Sequence, residues 1–170
     1  QDHFDRKEVR KHDLFSIYAI VAARQAVADA NIDTEAEDLN KIGVIMGVGI
    51  GGIGTFEKEM EDFCAGDGTP RFNPFFIPKM IVDSASGHIS MEYGFRGPNY
   101  ACVSACASST SAISVAYDQI KLGRANIMIT GGAEAPITKV GVGSFNSMHA
   151  ISTRNDSPET ASRPFSKSRD

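Results

Sequence analysis

The chain has 170 residues, 42% hydrophobic and 22% charged, with Gly 16 and Pro 7, a composition ordinary for a folded globular chain and too rich in apolar residues for disorder. Its formal net charge of -4 argues against bulk nucleic-acid binding, which needs a basic face. No apolar run approaches the ~18 residues of a membrane span, and the opening QDHFDRKEVRKHD is too polar for a signal peptide. Cys64, Cys102 and Cys106 are an odd, widely spaced set with no CxxC, which fits a reducing compartment such as the cytoplasm. His3, His12, His88 and His149 lack ligand spacing with them, so no metal site is expected.

In chain order, Arg6, Lys7, Arg10 and Lys11 form a basic cluster at helical spacing. Such a run is either a plain solvated face or a patch that steers in an acidic partner protein. SIYAIVAARQAVADANID, 16–33, carries apolar residues at helical spacing, on Ile17, Ile20, Val21, Ala28 and Ile32, and stops at Asn31. KIGVIMGVG, 41–49, is a short apolar run bounded by glycine, as in a buried strand. TFEKEMEDF, 55–63, reads as a helix, 64–78 as a Gly- and Pro-rich loop with several phenylalanines, and 79–94 as a helix whose Ser84–Gly87 allow close packing.

PNYACVSA, 98–105, is a second strand, 106–123 a helix with Gly123 as its stop, and ANIMITGGAE, 125–134, a third strand. Nothing is assigned from Ala135 on. Short strands alternating with helices predict an α/β domain whose sheet is covered on both faces.

Two features offer chemistry. GVGIGGIG, 47–54, matches G-x-G-x-x-G between a strand and a helix, as a dinucleotide-binding turn does. That reading requires a second strand ending in an acidic residue ~20 positions on, and GDGTPRFNPFF stands there instead. The other reading is a turn where glycine permits tight packing. Cys106 begins the helix after the second strand. A thiol there sits near the positive end of the helix dipole, which favours thiolate, and free backbone N–H groups there are able to hold an oxyanion. Free cysteine is equally often a small buried hydrophobe. Position alone leaves both readings open for Cys106, while packing suits Cys102.

VSACASS around Cys106, GPNY before it, ITGGAE after it and AISTRNDSPETASRPFSKSRD at the end together resemble the β-ketoacyl-[acyl-carrier-protein] synthases. The STRND and SRPF segments favour the elongating, synthase II-like members. The resemblance spans the whole chain. It implies a thiolase-like α-β-α-β-α layered fold of two similar halves, with residues 1–170 forming most of the first half only, and a homodimer. An opening without Met and a close on SRPFSKSRD likewise lead us to expect a fragment.

The resemblance implies that Cys106 is the nucleophile of a decarboxylative condensation between an acyl thioester and malonyl-acyl carrier protein. Ile50, Phe76, Gly141 and Phe145 would line the acyl pocket, with Phe76 reaching across the dimer. Lys7, Lys11 and Arg71 would dock the acyl carrier protein, and His149 stands where the family has an arginine. No cofactor is implied beyond the carrier's phosphopantetheine. The family's two histidines, its lysine and its Gly-Phe-Gly oxyanion segment belong to the second half. His88 resembles part of a structural helix, not a base. The alternatives are a polyketide ketosynthase, a non-catalytic partner like the chain-length factors (which usually lack the cysteine) and, in a different class, a dinucleotide-binding module.

Overall fold

The computed structural model describes residues 3–170. Two compact units divide the chain, Gln1–Pro136 and Ile137–Asp170. In the first, α1 (Arg6–Val9) and α2 (Leu14–Asp29) precede β1 (Ile42–Gly47). Then come α3 (Ile53–Ala65), α4 (Phe76–Met80), α5 (Ser84–Tyr93), β2 (Asn99–Cys102), α6 (Ser108–Lys121) and β3 (Ile127–Gly132). The strands form one parallel sheet in the order β2-β1-β3. This is the α/β class expected.

All six residues of β1 are buried, as a central strand covered on both faces requires. Alternation sends Ile42, Val44 and Met46 into a core with Phe15, Ala19, Ile20, Ala23 and Val27 of α2 and Ala85 and Ile89 of α5. The opposite face of β1 meets α6. A Cβ on Gly47 would lie 2.3 Å from the Ser108 backbone, so only glycine lets helix and strand come this close.

The face of α2 that packs differs from the one expected. Of the residues singled out, Ile20 is in the core, whereas Ile17 and Val21 line an outer groove of about 490 Å³ with Leu14 and Tyr18. Both sides of α2 are apolar, so periodicity alone could not choose between them. The helix expected over 79–94 is two helices. Ser84 Oγ donates to the Pro78 and Ile81 carbonyls, closing a corner between α4 and α5. Asn31 adopts φ 52 and Gly123 φ 69, the left-handed stops predicted at those positions.

The second unit, unassigned from sequence, contains α7 (Lys139–Ser147), capped where the Gly141 N–H donates to Thr138 Oγ1 at 3.0 Å. Among the described residues no helix is long and apolar enough to cross a membrane.

Candidate active site

The register places Gly47 opposite both Cys102 and Gly132, so the three parallel strands end together. The ladder continues one step through Val48 N–H to Cys102 O (3.1 Å) and Ala133 N–H to Gly47 O (3.0 Å). Segments leaving the carboxyl ends of parallel strands are where open α/β sheets bind ligands. Here those segments carry the glycine turn, Cys106 and Glu134.

Cys106 is exposed. It sits in a tight 3-10 turn, Ala105–Ala107, two residues before α6 and not at the helix's first position. The preceding residue, Ala105, has φ 50, a left-handed conformation that strains any residue with a Cβ. Ser108 holds this corner. Its buried Oγ donates to Ala105 O at 2.7 Å and accepts the Ser104 N–H at 2.9 Å. The Ala107 N–H closes onto Ser104 O at 3.0 Å. Strand, strained corner and helix thus lift the thiol clear of the sheet, the arrangement of a nucleophile elbow. Cys102 is half-buried in β2, as packing requires.

The glycine turn holds an anion, and the anion is the protein's own. Glu134 Oε2 accepts the N–H groups of Gly49 (2.8 Å) and Ile50 (2.7 Å), and Oε1 accepts that of Gly51 (3.0 Å). Three successive N–H groups converging on one point make an anion-binding nest, and Gly51 reaches it at φ 80. A phosphate would have to displace this carboxylate, which gives the G-x-G-x-x-G spacing a structural reason that involves no dinucleotide.

Of the other residues singled out, Ile50 is 42% exposed on this turn. Phe76 opens α4 and packs within its own chain, its ring tilted against Phe56 at 6.2 Å and Phe72 at 5.5 Å between centroids. Gly141 is buried and Phe145 half-buried, four residues apart on α7 in the second unit. Lys7 lies in α1 and Lys11 just beyond it, both exposed. Arg71 is in the loop before α4, 3.3 Å from Asp67, an exposed pair too weak to withhold its charge from a partner. His149 has φ 53 at the end of α7. Among the described residues no cluster of three or more His, Cys, Asp or Glu side chains suits a metal.

His88, on α5, packs edge-on against His12, ring centroids 4.2 Å apart. Burial, reinforced by His88, holds His12 down at about 4, and its buried Nδ1 has no partner. Burial also lowers His88. Both are therefore neutral at neutral pH, packed against each other between α5 and the segment before α2.

Sequence reasoning passed over Ala105, Ser108 and Glu134. An acidic residue just beyond the Gly-Gly of the third strand was the one visible signal for Glu134. Its partners lie 83–85 positions earlier, and only the folded register joins them.

Such an elbow at the carboxyl end of a parallel sheet is a place where a nucleophile is presented, and the comparisons say to which family the chain belongs. Residues 1–169 match the family model for the β-ketoacyl synthase N-terminal domain: the chain belongs to that family. It is 47% identical over 173 aligned positions to a 3-oxoacyl-[acyl-carrier-protein] synthase 2 of Staphylococcus aureus, covering all of this chain and 42% of that protein. It is 41% identical to the enzyme of that name from Coxiella burnetii, covering 98% of this chain and 40% of that protein. A solved β-ketoacyl synthase from Burkholderia phymatum superposes on the whole chain with TM-score 0.79 at 29% identity, over 41% of its own length. A type II PKS ketosynthase complexed with its acyl-carrier protein shares the fold, with TM-score 0.78 at 23% identity over 89% of this chain and 44% of its own. The chain therefore spans about two fifths of the length of the curated relatives it matches, and its architecture is that of the thiolase-like ketosynthases.

Proposed function

We propose that residues 1–170 are most of the first half of an elongating β-ketoacyl-[acyl-carrier-protein] synthase of fatty acid synthesis, acting in the cytoplasm as a homodimer. The observation that carries this reading is the exposed Cys106 thiol on the strained corner where three parallel strands end. The thiolate attacks the thioester of an acyl group on the carrier protein's phosphopantetheine. The acyl group passes to sulfur and the carrier thiol leaves, taking up the proton. Malonyl-carrier protein then loses CO2, and the electron pair of the broken C–C bond attacks the acyl carbonyl. The Cys106 thiolate is expelled and 3-oxoacyl-carrier protein is released.

The Cys106 N–H, at the start of the turn into α6, is one donor for the oxyanion of each tetrahedral step. The second donor and the groups that assist decarboxylation come from the second half. Ile50, Phe76, Gly141 and Phe145 line the acyl chain, with Phe76 crossing to the partner subunit. Lys7, Lys11 and Arg71 receive the acidic carrier protein. No further cofactor takes part.

The test is CO2 release from malonyl-carrier protein in the complete synthase. Release that depends on an acyl primer, with 3-oxoacyl product lost in the Cys106→Ala variant, supports the reading. Condensation that persists in that variant would refute it. Identity of 47% to synthase 2 favours fatty acid over polyketide elongation. The polyketide alternative predicts a preference for unreduced β-keto chains over saturated ones.

A further inference from the structure

The proposed chemistry uses Cys106 and a pocket, and leaves Glu134 without a task. Its half-buried side chain follows β3 and reaches back across the sheet end to the turn after β1. The turn it grips borders the nucleophile corner. A Cβ on Gly49 would lie 2.8 Å from Glu134 Oε2 and 3.5 Å from Ala105 O. The glycine is therefore confined between the carboxylate and the residue preceding Cys106.

Ile50, whose N–H donates the shortest of the three bonds at 2.7 Å, is the one residue of the trio with a side chain. Without the carboxylate, three N–H groups would point together at nothing, and a turn containing Gly49, Gly51 and Gly52 would have many other conformations open to it.

We infer that Glu134 is a positioning residue, the internal anion that fills the Gly49–Ile50–Gly51 nest and thereby fixes Ile50 beside the Cys106 corner as a wall of the acyl pocket. The acyl role rests on the reading given under the proposed function; the nest itself rests on the geometry. Glutamate is required on chemical grounds. Both oxygens accept, so all three donors are satisfied by charge-assisted bonds. Glutamine keeps one acceptor for Gly49 and Ile50 but turns an NH2 toward the Gly51 N–H.

The experiment compares the complete synthase with its Glu134→Ala and Glu134→Gln variants in two arms. In the first, thermal midpoints are read in sodium formate and in sodium chloride of equal ionic strength. Formate, a small carboxylate, should enter the emptied nest and raise the midpoint of Glu134→Ala by a few degrees over chloride, as ligand binding to the folded state does. Wild type should show no such difference.

In the second arm, transfer of acetyl and of a long saturated acyl group to Cys106 is timed. Long-chain transfer should fall at least on the order of ten-fold in Glu134→Ala, the weight of one charge-assisted hydrogen bond. It should fall less in Glu134→Gln, while acetyl transfer stays near wild type and formate restores part of the loss. A uniform loss for both acyl lengths, or a midpoint indifferent to formate, would overturn the inference. Should Glu134→Ala fail to fold, Glu134→Gln decides, and wild-type long-chain transfer in that variant overturns it as well. A wild-type protein that accepts no acyl group removes the functional reading and the acyl role together. The formate arm, which still reads the nest, tells that failure from this one.

Discussion

At the residue scale the site is built on a corner of five residues, Ser104–Ser108. Ala105 bears φ 50, and one buried hydroxyl, Ser108 Oγ, ties both sides of it. Replacing Ser108 with Ala leaves the Ser104 N–H and the Ala105 carbonyl without that partner. The expected cost is about 1–3 kcal/mol, read as a lower denaturant midpoint, with a changed rate of Cys106 alkylation. Ala105→Gly should be neutral or mildly stabilising because glycine meets no Cβ penalty there, whereas Ala105→Val should cost about 1–3 kcal/mol. Equal midpoints for the two variants would show that the corner is not strained. None of this was legible in YACVSACASSTSAIS. The sequence marks a strand meeting a helix at Cys106, but a left-handed alanine carries no local signal.

At the element scale, two helix starts share one carboxylate. Asp13 caps α2 through the Phe15 N–H (3.3 Å), and its other oxygen accepts the Thr55 hydroxyl (2.5 Å) and N–H (3.3 Å) in the first turn of α3. Both residues are buried. Asp13→Ala therefore removes a cap and strands a buried hydroxyl. The expected loss is about 2–4 kcal/mol, with a smaller one for Asp13→Asn, measured by thermal unfolding of the complete synthase.

The three strands were legible because each is a short apolar run closed by glycine or a polar turn, and β1 is apolar throughout. The start of α2 was placed late although its N-cap, Asp13, is a local signal that accepts the Phe15 N–H. The break between α4 and α5 was missed because the bond from Ser84 to the Pro78 carbonyl leaves no periodicity trace. The whole of α7 was missed for another reason: KVGVGSFNS combines two glycines with two β-branched valines, a poor helix former. Its stability must come from its cap and its packing.

At the scale of the whole molecule, two properties follow from what is buried and what is not. His12 is held at about 4 and His88 below its ordinary value, so the unfolded chain binds more protons than the folded one below pH ~6.5. Stability is fully present above that pH and falls as pH drops from about 6.5 toward 4. The loss for His12 is on the order of 1 kcal/mol once its partial exposure to water is allowed for. A His12→Phe variant should flatten this part of the pH–stability curve. An unchanged slope would show that other groups carry it.

The second property is apolar surface. Leu14, Tyr18, Ile113, Tyr117 and Met91 are 48–70% exposed. Expressed alone, residues 1–170 should bind hydrophobic dyes, self-associate and release no CO2 from malonyl-carrier protein. A monomeric, turning-over chain would contradict the half-domain reading. The glycine turn shows where sequence reasoning stopped. Its spacing was visible, but what fills it depends on β1 and β3 being neighbours.

On the reading proposed above, the Cys106 sulfur receives the acyl group. The most direct measurement is peptide mass spectrometry of the complete synthase after brief exposure to long-chain acyl-carrier protein, without malonyl-carrier protein. One acyl mass increment is expected, on the peptide containing Cys106, absent from the Cys106→Ala variant and sparing Cys64 and Cys102. Cys64 is also exposed and serves as the internal control for non-specific thiol reaction. An acyl group found on Cys64 or Cys102, or retained by the Cys106→Ala protein, would contradict it.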